Sequence, residues 1–175
     1  MTQFLSSLII LLLLSSTGIA KSQLSLFGGS ANYSKFDSAA RYGIAYEWQK
    51  RSGIAFALGL QMDQSKSSGQ ALSHIALPVA SVKYYFQPNK TIVPYVGAGF
   101  QWNSVNDTFG SSFVGTHLLA GCQFRVGRDM RLFIEYAQHY GQAYKTSTSF
   151  DSSAISLGVG LPLFTPPPRK VKRTP

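Results

Sequence analysis

The chain has 175 residues, of which 45% are hydrophobic and 13% are charged, and its formal net charge at pH 7 is +9. The charged share is about half the ~25% that soluble domains usually carry, which argues against an ordinary soluble surface. A single cysteine, Cys122, excludes an intrachain disulfide. Four of the sixteen basic residues lie in the last seven positions, so the net charge overstates that of the folded part. An anionic membrane surface therefore fits this chain better than nucleic acid, which we do not expect as a partner.

The first twenty residues have the pattern of a secretory signal peptide. An apolar run from Leu8 to Leu14 is followed by Gly18, Ile19 and Ala20, a small-x-small cleavage site. The run is too short for a spanning helix, although no Lys or Arg precedes it, and an N-terminal membrane anchor is the alternative. We predict a signal peptide over 1–20, with a second cleavage site after Ser22. No later segment approaches ~18 continuous apolar residues.

Apolar and polar residues alternate with a period of two along almost all of the remaining chain, and no stretch shows a helical period. Several alternating segments reach ten residues, which exceeds the ~5–6 of globular sheets and suits tilted membrane strands. We predict eight strands near residues 23–33, 39–48, 53–64, 74–86, 92–103, 113–126, 131–140 and 152–164.

The predicted connections differ in length. Short turns follow the second, fourth and sixth strands, at 49–52, 87–91 and 127–130. Longer connections rich in Ser, Thr and Gly follow the third, fifth and seventh strands, at 67–73, 104–112 and 141–150. The first connection, near 34–38, is short and breaks the pattern. Membrane barrels of bacteria place short turns and both termini in the periplasm and long loops outside, so we expect that orientation here.

Alternation gives the sheet two faces of different character. The third predicted strand sets large apolar side chains against small or polar ones: Ile54, Phe56, Leu58, Leu60 and Met62 against Ala55, Ala57, Gly59, Gln61 and Asp63. A soluble eight-stranded ligand-binding barrel, the alternative fold, would bury the large face and expose a poorly soluble surface of Gly, Ala and Ser. A membrane barrel needs the opposite arrangement, with the large apolar face against lipid.

The same rule orients the segment "VPYVGAGFQW", Val93 to Trp102. Val96, Ala98, Phe100 and Trp102 are predicted to face lipid, while Tyr95, Gly97, Gly99 and Gln101 face the interior. In the sixth strand Cys122 shares the lipid face with Leu118 and Phe124, as a small apolar residue without a catalytic role. Aromatic belts at the two membrane interfaces are predicted from Tyr46, Trp48, Tyr84 and Phe86 beside the short turns, and from Phe100, Trp102 and Tyr140 at the opposite rim.

Three segments carry a family resemblance: "VPYVGAGFQW" (93–102), "RLFIEYAQHY" (131–140) and "ISLGVGLPLF" (155–164). They resemble the small outer-membrane barrel superfamily that includes OmpA-, OmpX- and OmpW-like proteins. The resemblance implies an all-β, eight-stranded antiparallel up-and-down barrel over 21–164 in the bacterial outer membrane. It also implies outer-membrane lipids, including lipopolysaccharide, and the barrel assembly machinery as partners. These barrels normally end on an aromatic residue, whereas here Phe164 is followed by "TPPPRKVKRTP".

Charged residues on the inward face form the first candidate site. By alternation the cluster comprises Arg41, Glu47, Lys83, Arg125 and Glu135, and all but Arg41 fall in the periplasmic half. Buried charges must pair, and an eight-stranded interior is filled by side chains. The cluster is therefore interpreted as a salt-bridged plug that stiffens the barrel, with a gate for small solutes as the alternative.

A second resemblance concerns enzymes. "EYAQHYGQA" (135–143) resembles the lipid A deacylase barrels, whose motif places a serine two residues after a histidine. His139 matches, but Gly141 occupies the serine position and Gln142 stands where asparagine is expected, so the acyl-enzyme cannot form. We predict no enzymatic activity, although Ser147, Ser149, Ser152 and Ser153 are close in sequence. His74, His117 and His139 lack metal-ligand spacing, so neither a metal nor a cofactor is expected.

Two further segments have ambiguous roles. The hydroxyl-rich loops suit contact with polysaccharide or a host surface, and equally suit plain solvation. The tail over 165–175 combines a proline spacer, Pro166–Pro168, with a basic cluster of Arg169, Lys170, Lys172 and Arg173. It is interpreted as a disordered solubilising end or as a contact for an anionic surface such as lipid headgroups or cell-wall polymer. The whole sequence favours an outer-membrane barrel with a structural or surface-interaction role and a mostly plugged lumen, with a lipid A hydrolase or a narrow channel as alternatives.

Overall fold

The computed structural model describes residues 19–34, 38–67, 70–88, 90–106, 111–127, 130–141 and 151–164. They form a closed barrel of eight antiparallel strands, which confirms the predicted fold class. The strands are β1 (Ile19–Tyr33), β2 (Ala39–Lys50), β3 (Ile54–Ser67), β4 (Gln70–Tyr85), β5 (Ile92–Asn106), β6 (Ser111–Val126), β7 (Met130–Gly141) and β8 (Ser152–Phe164).

Each strand pairs with its neighbours in sequence, and β1 closes the barrel against β8. The closing register runs from Ser22 opposite Phe164 to Tyr33 opposite Ser152. Closure leaves no strand edge, so the backbone groups of the wall are paired with one another. Among the described residues no helix is long and apolar enough to cross a membrane.

Seven of the strands start or end beyond their predicted limits, and only β8 keeps them. The clearest correction concerns the predicted loop over 67–73, because β3 continues to Ser67 and β4 already begins at Gln70. β1 begins at Ile19, two residues before Lys21, the first residue after the predicted signal cleavage. The rest of the predicted signal peptide, the basic tail and the loop segments 107–110 and 142–150 lie outside the described residues.

The connections β2–β3, β4–β5 and β6–β7 share one end of the barrel, which we call the turn rim, and the other end is the loop rim. At the turn rim Gly53 and Gly127 have φ values of +90° and +67°. Residues with a Cβ rarely adopt this left-handed region, so glycine forms these tight turns with little backbone strain. The amide of Gly53 also donates to the Lys50 carbonyl at 3.1 Å and so closes the β2–β3 turn.

Four strands extend well past the others at the loop rim. β3, β4, β5 and β6 have 14, 16, 15 and 16 residues, whereas about 9–11 tilted residues cross a bilayer. Beyond the last β2–β3 pair, Ala40 with Gln64, β3 and β4 stay paired to Ser67 and Gln70. The β3–β4 and β5–β6 hairpins therefore project from the barrel.

The two faces of the wall separate as predicted. Leu157 is 61% exposed on the outside, whereas its neighbour Ser156 is 6% exposed and points inward. The outer face is a belt of exposed apolar side chains that includes Val96, Phe100 and Trp102. Cys122 lies on this outer face and is half-buried between strand neighbours.

The residues of the predicted aromatic belts occupy both ends of the outer face. Tyr84 and Phe86 are exposed beside the turn rim and contact each other edge to face at 5.0 Å. Tyr46 and Trp48 form a similar pair at 4.5 Å. Toward the loop rim lie Phe100, Trp102 and Tyr140, all exposed.

Candidate functional site in the barrel interior

The interior contains two polar networks with a small cavity between them. The loop-rim network is built on Arg41, Asp63, His74, Asn103, Gln101 and His139, with Tyr33 at its edge. The turn-rim network is built on Glu47, Lys83, Tyr85, Tyr95 and Glu135. Each joins strands on different sides of the wall, so each crosses the lumen.

The loop-rim network starts from one row of the sheet. Arg41, Asp63 and His74 lie directly opposite one another on β2, β3 and β4. Arg41 donates through Nε to Asp63 Oδ1 at 2.8 Å and through Nη2 to Oδ2 at 2.7 Å. The two side chains are 2% and 1% exposed. This bidentate geometry is the strongest arrangement for a guanidinium and a carboxylate, and it compensates the desolvation of both charges.

Further partners extend this network across the lumen. The Tyr33 hydroxyl on β1 donates to Asp63 Oδ2. Arg41 Nη1 lies 2.7 Å from His139 Nε2 on β7, and His139 Nδ1 lies 3.1 Å from Gln101 Oε1 on β5. Gln101 Nε2 then donates to Asn103 Oδ1 at 2.7 Å, and that oxygen also lies 2.8 Å from His74 Nε2. Because the network is continuous, every strand from β1 to β5 is joined to β7.

A cavity of about 60 Å³ separates the two networks. Its lining combines small residues such as Ser25, Ala57 and Ser81 with the ring of His117. His117 Nε2 lies 2.8 Å from Ser81 Oγ, while the Nδ1 atom is buried without a hydrogen-bond partner among the described residues. A cavity of this size with polar groups in its lining accommodates a few water molecules, since one water needs ~10–15 Å³.

The turn-rim network pairs one lysine with two carboxylates. Lys83 Nζ donates to Glu135 Oε2 at 2.8 Å and lies 3.9 Å from Glu47 Oε2. The Tyr85 hydroxyl is 2.9 and 2.8 Å from the two oxygens of Glu47, and the Tyr95 hydroxyl donates to Glu135 at 3.0 Å. The ammonium also lies 5.0 Å from the Tyr95 ring centroid, within cation–π range. The cluster carries a formal charge of −1, and both carboxylates are stabilised by phenol donors.

Small residues on neighbouring strands make room for the rings of this network. The Tyr95 ring lies against Gly121 so closely that a Cβ at position 121 would collide with it. Tyr85 and Tyr95 are themselves 4.9 Å apart between ring centroids. They are 1% and 2% exposed, so both rings are buried inside the barrel at this level.

The structure brings three of the five predicted lumen charges together, namely Glu47, Lys83 and Glu135. Arg41 belongs to the separate loop-rim network. Arg125 keeps its predicted parity, because it lies directly opposite Arg131, but it does not join a lumen network: its side chain is exposed at the turn rim and its Nη2 donates to the Pro88 carbonyl at 3.4 Å. Arg125 lies next to the end of β6, where a long side chain reaches solvent and its charge stays hydrated.

The sequence interpretation did not assign Asp63, His74 and Asn103 to the site, nor the phenols of Tyr85 and Tyr95. Inward parity together with the hairpin register would have identified Asp63, since it lies directly opposite Arg41. The turn-rim contacts join β2, β4 and β7, which are not neighbours in the sheet. No local pattern reports such contacts, because they depend on how the barrel closes.

The residues of the deacylase-like segment make structural contacts within the barrel wall. His139 is 5% exposed and bonded to Arg41 and Gln101, as described above. Gly141 lies beside the Phe113 ring, which a Cβ at that position would strike. Ser152 is buried directly opposite His139, and Ser153 is half-buried, whereas Ser147 and Ser149 lie outside the described residues. Within the described ranges no group of three His, Cys, Asp or Glu side chains is arranged to hold a metal ion.

A closed barrel with an apolar outer belt and a polar interior defines a transmembrane barrel of the outer membrane. Residues 9–161 match the family model for the outer membrane protein beta-barrel domain. The chain belongs to this family, and the protein is located in the bacterial outer membrane. No curated protein sequence matches it significantly.

Solved structures share the fold at low sequence identity. Neisserial surface protein A is 22% identical with a TM-score of 0.61, over 80% of this chain and 94% of that one. The N-terminal barrel of Pseudomonas aeruginosa OprF is 18% identical with a TM-score of 0.61, over 83% and 98%. The outer membrane enzyme PagL is 15% identical with a TM-score of 0.55, over 81% and 99%. At these identities the similarity concerns the fold.

Proposed function

We propose that the protein is a non-enzymatic outer-membrane barrel with a structural or surface-interaction role and a mostly plugged lumen. The observation that carries the proposal is the pair of polar networks that cross the interior. Lys83 ties β4 to Glu135 on β7 and Glu47 on β2, and the loop-rim network ties β1 through β5 to β7. Such cross-links stiffen the wall and occupy the space that a channel would need.

The projecting hairpins support the surface-interaction role. β3–β4 and β5–β6 continue as paired strands past the ends of their neighbours, and their projecting sequence is rich in Ser, Gln and Asn. A rigid projecting sheet presents residues to solvent beyond the membrane at lower entropic cost than a disordered loop. The apolar belt is proposed to contact the lipids of the outer membrane, including lipopolysaccharide.

The chemistry around His139 supports the absence of deacylase activity. A serine esterase needs a hydroxyl within hydrogen-bond reach of the histidine and a substrate that reaches both. His139 is bonded to Arg41 and Gln101 inside the wall, and Gly141 supplies no nucleophile. Ser81 and His117 do form a hydroxyl–imidazole pair, but both are buried in the lumen, away from the lipid that a membrane esterase acts on.

Conductance across planar bilayers tests the plugged lumen. We expect no steady current from the wild type and a steady current from the Tyr85→Ala/Tyr95→Ala variant, which removes two buried rings. The matched control is Tyr84→Ala/Tyr136→Ala, because those tyrosines are exposed on the outer face. A wild type that conducts steadily and equals the Tyr85/Tyr95 variant would contradict the plug.

Lipid analysis tests the non-enzymatic role. Lipid A extracted from cells with and without the protein should show the same acylation by mass spectrometry. Loss of one acyl chain that depends on the protein, and that disappears in a His117→Ala or His139→Ala variant, would contradict the proposal and identify the histidine involved.

A further inference from the structure

Like charges converge at the turn-rim mouth of the lumen. Arg125 on β6 lies directly opposite Arg131 on β7, an arrangement that is destabilising when no anion lies between the two cations. Lys21 on β1 lines one small pocket at this mouth together with Arg131. With the predicted cleavage after Ala20, Lys21 also carries the α-amino group. Three strands thus direct positive charge to one opening.

A small pocket lies at this mouth, and a buried amide lines it. The pocket is lined by Lys21, Ser22, Gln23, Glu47, Gln49, Arg131 and Pro162. Gln49, directly opposite Lys21, is 4% exposed, and neither its Nε2 nor its Oε1 has a hydrogen-bond partner among the described residues. A buried amide without hydrogen-bond partners destabilises the fold unless a bound molecule supplies those partners.

The charge and the size of the pocket favour a small anionic group. Glu47 is its one carboxylate among the described lining residues, and it is engaged by Tyr85 and lies near Lys83. The deeper turn-rim cluster has a formal charge of −1, against three cations at the mouth. The enclosed volume is about 10 Å³, which is the space of a single water-sized atom group. That volume is enough for one oxygen of an anion, with the rest of the anion outside the pocket at the mouth.

We propose that this mouth pocket binds one oxyanion of the phosphate or carboxylate class. Arg131, Arg125 and Lys21 supply the charge, and the Gln49 amide N–H donates to the oxygen that enters. Guanidinium groups match the geometry of such anions, and the bound charge removes the repulsion between the opposed arginines. Free phosphate and the phosphate of a phospholipid headgroup share this chemistry.

Titration with inorganic phosphate tests the site. The protein, isolated from outer membranes, is placed in micelles of a maltoside detergent, which carries no phosphate group, and inorganic phosphate is added at constant ionic strength. We expect saturable binding by calorimetry and a saturable shift of the Gln49 side-chain amide signal by NMR. Arg131→Gln should weaken binding about tenfold or more. The control Arg51→Gln should change it less than about twofold, because Arg51 is exposed at the same rim but does not line the pocket.

A second variant distinguishes a ligand role from a structural one. Gln49→Leu removes an amide without partners, so it should keep or raise the unfolding midpoint while phosphate binding is lost. Equal weakening by Arg131→Gln and Arg51→Gln, unsaturable binding in the wild type, or full binding in Gln49→Leu would each overturn the proposal. Acetate in place of phosphate tests the carboxylate class. Phosphatidylglycerol nanodiscs test the lipid source, since a headgroup ligand shifts the Gln49 signal before phosphate is added.

Discussion

Replacing Lys83 with methionine removes the cation that holds the turn-rim network together. Its Nζ lies 2.8 Å from Glu135 and 3.9 Å from Glu47, so the substitution leaves two buried carboxylates with only phenol donors. Removing one partner of a buried ion pair costs about 3–5 kcal/mol of the free energy of unfolding. Glu135→Gln should cost less, about 1.5–3 kcal/mol. Its amide oxygen still accepts a hydrogen bond, and Lys83 retains Glu47 as its counter-ion.

Denaturant unfolding in lipid vesicles measures both variants through tryptophan fluorescence. Trp48 and Trp102 lie on the outer face toward opposite rims, so they report on the whole barrel without contacting the network. Lys90→Met is the matched control, because Lys90 is exposed and its replacement should change the free energy by less than about 0.5 kcal/mol. A Lys83→Met variant within about 1 kcal/mol of wild type, or one no less stable than Glu135→Gln, would refute the reasoning.

Three other expectations follow from described contacts. A nitroxide at Cys122 should be accessible to oxygen and protected from a polar nickel reagent, which EPR power saturation measures. The reverse accessibilities would mean that the register of β6 is shifted by one residue. Asp63→Asn leaves the Arg41 charge without its counter-ion and should lower the free energy of unfolding by about 3–5 kcal/mol in the same denaturant titration. Gly141→Ser should restore no lipid A deacylation and should destabilise the barrel by about 1–3 kcal/mol, since its Cβ meets Phe113; deacylation by this variant would contradict the assignment.

Alternation of side-chain character was sufficient to locate all eight strands and their facing. This worked because one face of each strand meets lipid, which demands apolar side chains, and the other meets a narrow polar lumen. Where that constraint ends, the prediction failed. Residues 65–73 were predicted as mostly loop, yet β3 reaches Ser67 and β4 starts at Gln70. A strand that projects beyond the bilayer has water on both faces, so its sequence carries no alternation to detect.

The candidate site was predictable only where neighbouring strands carry it. Arg41 and Asp63 are one row apart in a hairpin, so register alone joins them. Lys83 and Glu135 meet across the lumen from β4 and β7, and the strand tilt and stagger that bring them together are properties of the closed barrel. Arg125 shows what parity alone does not predict. Parity gives the direction of the Cβ, but a long side chain at the end of a strand can still extend into solvent.

The pairing of β1 with β8 makes the strand order cyclic. Ser22 and Phe164 lie directly opposite each other at the turn rim, about 5 Å apart between Cα atoms in such a ladder. A short linker from Phe164 to Ser22 would replace the present chain ends, and new ends between Gly127 and Met130 would open at the same rim. Such a circular permutant keeps every strand beside its present neighbours, with the same interior and outer belt. The architecture therefore does not depend on which strand is synthesised first. A permutant that inserts and closes normally would show that assembly depends on the pairing of neighbouring strands and not on the order of their synthesis.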